Sequence, residues 1–112
     1  MLGDTLTLVY PSGDRELNKI NQDGYSAEYL KKSATRDTRC LIRHSRTKAG
    51  LDRHNVEITE RVRETETDPE YFRKCYVVFE NHPDDTDNEG VRTMANLLAN
   101  AVRVDALYGW ES

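Results

Sequence analysis

Three stretches of this chain alternate apolar and polar residues with a period of two: "DTRCLIRHSR", "HNVEITERVRE" and "YFRKCYVVF". In an extended strand, successive side chains point to opposite faces. Thr38, Cys40, Ile42 and His44 therefore share one face, and Arg39, Leu41, Arg43 and Ser45 the other. Val56, Ile58 and Val62 separate in the same way from Asn55, Glu57, Thr59 and Arg61. Cys75, Val77 and Phe79 separate from Lys74, Tyr76 and Val78. Polar loops divide the stretches: "TKAGLDR" around Gly50, and the acidic "TETDPE" made of Thr65, Glu66, Thr67, Asp68, Pro69 and Glu70. The pattern predicts an antiparallel meander with one apolar face and one basic or polar face.

Upstream, "TLTLVY" sets Leu6, Leu8 and Tyr10 on one side, and "PSGD" from Pro11 to Asp14 is a turn. "RELNKIN" brings Leu17 and Ile20 back, so the N-terminus reads as a hairpin. "QDG" is a second turn, and "YSAEYLKKS" reads as one more strand.

After the strands comes the best amphipathic helix of the chain. "TDNE" from Thr86 to Glu89 has the spacing of a capping box, in which the Thr86 side chain and Glu89 satisfy each other's backbone amides. Asp85, Asp87 and Glu89 suit the positive end of a helix dipole. Val91, Met94, Leu98 and Ala101 follow at helical spacing, widened by Leu97 and Val102. The helix is expected from about Asp85 to Val102, with a break near Asn100 to Arg103 and a short second helix ending at Gly109. Its stripe has no second helix of comparable length to pack on within its own chain.

A chain of 112 residues fits a single domain, residues 1–112, and buries only about two thirds of its unfolded surface. With 32% charged residues and 37% apolar ones, a lone core is modest, which points to a partner chain. The net charge is −4, but Arg39 to Arg63 holds seven Lys/Arg against three Asp/Glu. Glu80 to Glu89 holds five acids and no base. Such asymmetry suits a surface facing a polyanion. Cys40 and Cys75 lack Cys or His neighbours at metal-ligand spacing and are expected as two buried thiols. The N-terminus lacks the pattern of a signal peptide, and no segment is long and apolar enough to span a membrane.

Catalytic signals are weak. His44 and His54 come together if their strands pair, but no Ser or Cys sits in a nucleophile elbow. No Gly-rich phosphate loop and no HExxH pattern occurs. Asp84 and Asp85 are expected to start a helix rather than to hold a cation. The chain reads as a non-enzyme without metal or cofactor.

The order of elements, and above all "CYVVFENHP", "DDTDNEG" and "VRTMANLLANAVRVDALYG", resembles the coat proteins of the small single-stranded RNA bacteriophages. "TLTLVYPSGD" and "KKSATRDTRCLIRHSR" are similar to their family counterparts. The resemblance implies an α+β fold: a meander sheet with an N-terminal hairpin and two C-terminal helices. In that family five strands form the sheet of a subunit and the hairpin stands to one side. Two subunits then join edge to edge into one continuous, intertwined sheet, each helix crossing its partner's strands. Val91, Met94 and Leu98 would lie in that interface. Dimers would assemble into an icosahedral shell in the bacterial host cytoplasm.

The uncovered face would meet genomic single-stranded RNA, including a hairpin whose binding represses translation. The residues expected there are Arg39, Arg43, Ser45, Asn55, Thr59, Arg61, Lys74 and Tyr76. Arg and Lys neutralise phosphates, Tyr76 offers a stacking surface, and Asn55 and Thr59 can bond base edges. Leu41, Glu57 and Val78 interrupt this polar face. The loop Thr65–Glu70 corresponds to the one around the family's symmetry axes; it has no cysteine, so linked pores are not expected. The competing reading is a small dimeric nucleic-acid-binding regulator that forms no shell.

Overall fold

The computed structural model describes residues 3–110. Six strands are followed by two helices. The strands are β1 (Thr5–Tyr10), β2 (Gly13–Gln22), β3 (Ser26–Lys32), β4 (Arg36–Arg46), β5 (Asp52–Val62) and β6 (Tyr71–Asn81). The helices are α1 (Glu89–Ala99) and α2 (Ala101–Tyr108). All six strands form one antiparallel sheet in sequence order. The meander and both helices thus match the sequence expectation. The hairpin does not stand apart: β2 pairs with β1 through its first half and with β3 through its second.

The register slips between Lys19 and Asn21, and there Ile20, expected in the returning strand's apolar set, is turned out to solvent. A bulge of this kind bends a strand and increases its twist. Here it lets the hairpin curl over the apolar face. Leu6 and Leu8 of β1 pack on a cluster that includes Ile42, Val56 and Ile58 from β4 and β5. Tyr29, Leu17 and Cys40 are at its centre and fully buried. The Tyr29 hydroxyl donates to the Gly3 carbonyl at 2.9 Å, and Arg15 Nη1 donates to Thr38 Oγ1 at 3.0 Å. At the hairpin turn Gly13 has φ +136°, a conformation that L side chains rarely adopt.

This cover stops short of β6. Cys40 is buried, and burial pushes its thiol pKa up. Cys75, expected to be buried too, is exposed, because the hairpin does not reach over it. No residue of either helix is buried, and the substantial packing of each is on the other.

The helix begins later than its sequence suggests. The capping box does not form: Asn88 precedes the first turn without a side-chain cap bond. Asp85 Oδ1 accepts the Asp87 N–H and Asp87 Oδ1 accepts the Glu89 N–H, both at 2.9 Å. Successive aspartate turns use up the amides that a helix start would free, so α1 begins at Glu89 rather than Asp85. It ends at Ala99, and the break expected near Asn100 to Arg103 falls at Asn100. Asn100 breaks the helix and its Oδ1 accepts the Arg103 N–H at 3.2 Å, which caps α2. The C-cap at Gly109 falls where expected.

The burial of Tyr29 has a measurable consequence. Tyr29→Ala should destabilise the fold by about 3–5 kcal/mol through the cavity it leaves. Tyr29→Phe should cost only about 1 kcal/mol, the worth of one hydrogen bond. Urea unfolding of the two variants separates packing from polar contribution.

Candidate nucleic-acid interface

Cross-strand register decides which polar side chains become neighbours. Arg39, Thr59 and Lys74 lie directly opposite one another across β4, β5 and β6. Leu41, Glu57 and Tyr76 form the next row, then Arg43, Asn55 and Val78. Asp37, Arg61 and Phe72 lie on the other side, and Ser45 faces Arg53 at the far end. By alternation all of these point away from the Cys40, Ile58 and Cys75 face. The eight residues expected at a nucleic-acid surface therefore share one patch.

The patch is an ordered set of ion pairs rather than a field of free cations. Arg39 Nε is 3.0 Å from Glu28 Oε1. Glu57 holds two cations, Arg43 Nη2 at 3.3 Å and Lys74 Nζ at 2.8 Å. Arg61 donates Nε and Nη2 to Glu70 at 2.8 and 3.0 Å and lies 3.5 Å from Asp37. The Glu70 hydrogen bonds and charge raise the Arg61 pKa above its ordinary value. The cationic ends stay accessible: the Arg43 and Lys74 side chains are 55% and 58% exposed, whereas Glu57 is 12% exposed. Exposed pairs of this type are worth at most about 1 kcal/mol, so a phosphate can compete for the cation.

Tyr76 is exposed, with Lys74 Nζ 5.8 Å from its ring centroid. Asn55 is half-buried, and its Oδ1 is enclosed without a hydrogen-bond partner. Sequence reasoning passed over Phe72, an exposed aromatic on the same face, and Arg53 beside Asn55. The period-two parity of β5 and β6 was the signal that could have found both.

The other expected sites are distributed around this sheet. The loop from Thr65 to Glu70 is exposed and braces itself: the Thr65 N–H donates to the Asp68 carbonyl at 2.8 Å, and Thr65 Oγ1 accepts the Asp68 N–H at 3.0 Å. Its last residue, Glu70, turns back onto Arg61. Val91 is half-buried, while Met94 and Leu98 are exposed. β6 is the terminal strand of the sheet and runs for 11 residues with one edge unpaired.

His44 and His54 do meet, Nδ1 to Nδ1 at 2.8 Å, and His54 Nε2 lies 2.6 Å from Asn81 Oδ1. The pair sits on the same face as Cys40 and Ile58, away from the patch. Among the described residues, no group of three His, Cys, Asp or Glu could hold a metal, and no helix is long and apolar enough to cross a membrane.

Comparison with known proteins gives this arrangement a context. The fold is similar to the coat protein of bacteriophage EMS014, with a TM-score of 0.65 over 88% of this chain and 72% of that one, at 19% identity. No curated protein sequence matches the chain. Residues 3–82, from the start of the hairpin through β6, match the family model of the phage phiCb5 coat protein. With the whole sheet inside that match, the chain belongs to the phage phiCb5 coat protein family.

Proposed function

We propose that this phage coat protein forms edge-to-edge dimers that assemble into an icosahedral shell and bind genomic single-stranded RNA on the polar sheet face. The observation that carries the reading is a single mismatch. The chain has a long unpaired edge at β6, a strip of exposed Tyr71 and Cys75 with half-buried Val77 and Phe79 beside it, and helices whose Met94, Leu97 and Leu98 are exposed. A second copy supplies what each part lacks. Two β6 edges pair their backbone groups, and each helix pair lies across the other subunit's strip. Unpaired edges and apolar strips otherwise invite aggregation. The protein works in the virion after assembly in the bacterial host, and its role is structural.

RNA binding follows from the opposite face. Arg39, Arg43, Arg61 and Lys74 exchange carboxylate partners for phosphates. Tyr76 stacks on an unpaired base, and Asn55 and Thr59 lie on the same face to bond base edges. A hairpin of the genome, read by Asn55, Thr59 and Ser45 and held by the cations, couples coat binding to translational repression. Glu57 is the opposing element, since it competes with phosphate for both Arg43 and Lys74.

Electron microscopy of the purified protein tests the shell. Closed particles support the reading, and dimers that bind RNA without particles support a regulator instead. Filter binding of dimers to genomic RNA across a salt series tests the face. Tyr76→Ala should remove about 1–3 kcal/mol with the salt slope unchanged. Arg43→Ala should lower the slope by roughly one unit for each phosphate that Arg43 neutralises. Glu57→Gln should tighten binding, because it frees two cations at once. Unchanged affinity in all three variants would remove RNA from this face.

Leu98→Asp should abolish soluble dimer, because an unpaired charge in a shared apolar contact is strongly destabilising. A variant that sediments as a native-like dimer contradicts the interface. Replacing Thr65–Glu70 by a Gly/Ser linker should leave dimers intact and impair particles, as seen by size-exclusion chromatography and microscopy. Loss of the dimer itself would move this loop from shell contact to folding.

A further inference from the structure

The face covered by the hairpin carries an excess of positive charge that none of these roles uses. Glu60 is buried, and three guanidiniums surround its carboxylate. Arg36 Nη1 lies 2.9 Å from Oε1, Arg73 Nη1 lies 3.7 Å from the same oxygen, and Arg15 Nη1 lies 3.5 Å from Oε2. Among the described residues, one carboxylate among three guanidiniums leaves two positive charges uncompensated. A groove of about 540 Å³ opens beside them, between the hairpin and β6, with Leu8, Tyr10, Ile58 and Cys75 in its walls. Arg15 is fixed, stacked 3.6 Å over the Tyr10 ring. Arg73 lies on the unpaired edge strand, exposed and donating to the Tyr71 hydroxyl at 3.0 Å.

The counter-charge exists in the same sequence, at the wrong end of the strand. Asp84, Asp85 and Asp87 follow the C-terminal end of β6, whereas Arg73 is near its start. Eight residues of extended strand separate Arg73 from Asn81, about 27 Å. Pairing two β6 edges antiparallel cancels this distance, because the end of one copy then lies beside the start of the other. By alternation Glu60 and Arg73 share the face of Ile58 and Cys75, and Tyr108 of α2 lines the groove on that face. Asp85 and Asp87 already accept backbone amides, while Asp84 makes no side-chain hydrogen bond or ion pair among the described residues.

We propose that Arg73, backed by Arg36 and Arg15, receives the acidic linker Asp84–Asp87 of the second copy, so that each dimer is closed by two symmetry-related charge clasps. The inference rests on edge-to-edge dimers and adds a specific contact between copies to them.

The test uses opposite charge reversals on separate copies. Arg73→Asp leaves Glu60 two guanidiniums, and Asp84→Arg changes an exposed side chain. Each homodimer then sets like charges together at both clasps, while the mixed dimer restores opposite charges at both. Co-expressed copies analysed by native mass spectrometry should give mixed dimers well above the statistical half. That excess should shrink in about 1 M salt, where screening acts within about 3 Å. A statistical mixture of folded dimers overturns the clasp and leaves edge pairing intact. Failure of the unaltered protein to dimerise overturns the edge-to-edge reading, and the clasp with it.

If a reversal variant does not fold, Arg73→Lys serves in its place. Treated with a zero-length carbodiimide after mixing isotopically light and heavy copies, it should yield amide cross-links from position 73 to the Asp84–Asp87 segment that join light to heavy chains. Cross-links confined to one chain, or none, overturn the proposal.

Discussion

The hairpin seals one part of the sheet's apolar face and leaves β6 less covered, and the remaining features follow from that boundary. Where β1 and β2 lie over β3, β4 and β5, Leu17, Tyr29 and Cys40 are sealed from water. Beyond the hairpin's reach the same alternation continues along β6, and Cys75 is left in solvent. The register of β2 on β3 slips at Lys19 to Asn21, within the strand that carries the hairpin over this face. An apolar strip, an unpaired edge and two helices without buried residues all meet there. Each is unfavourable alone, and the proposed two-fold partner would remove all three liabilities together.

The polar face illustrates a different compromise. A sheet with Arg39, Arg43, Arg61 and Lys74 on adjacent rows would repel itself if nothing answered those charges. Glu28, Glu57, Asp37 and Glu70 answer them at salt-bridge distance. The pairs hold the side chains in order before any ligand arrives, which reduces the ordering cost on binding. They also lower the net charge of the face, so in the proposed function affinity for RNA would be set by exchange of partners rather than by simple attraction. Glu57 has the largest influence because it holds two cations and lies at the middle of the patch.

Much of this architecture was legible in the residues. Period-two alternation is insensitive to tertiary context, so the faces of β4, β5 and β6, and the neighbourhood of Arg43, Asn55, Thr59 and Lys74, could be read from the chain alone. The meeting of His44 with His54 followed from the same parity. What could not be read was anything set by curvature. The bulge at Ile20 leaves no mark in the hydrophobic pattern, and the resemblance implied a hairpin to one side of the sheet, whereas β2 is hydrogen-bonded to β3. Cys75 has the sequence surroundings of a core thiol and lacks only a cover. The start of α1 was misplaced because Thr86 and Glu89 have capping-box spacing, while the aspartates at positions 85 and 87 take the amides first. Ion pairing across the polar face depends on long side chains from strands distant in sequence, such as Glu28 with Arg39, and alternation alone does not reveal it.

The central claim is that a second copy of this chain completes the sheet at β6. Hydrogen exchange along Tyr71–Asn81 in the purified assembled protein measures it most directly. With the edge paired, the outward-facing amides of β6 should be protected as strongly as those that face β5. If the outward-facing amides exchange at the rate of an open edge while those bonded to β5 stay protected, the sheet ends at β6 and the account of the dimer is wrong.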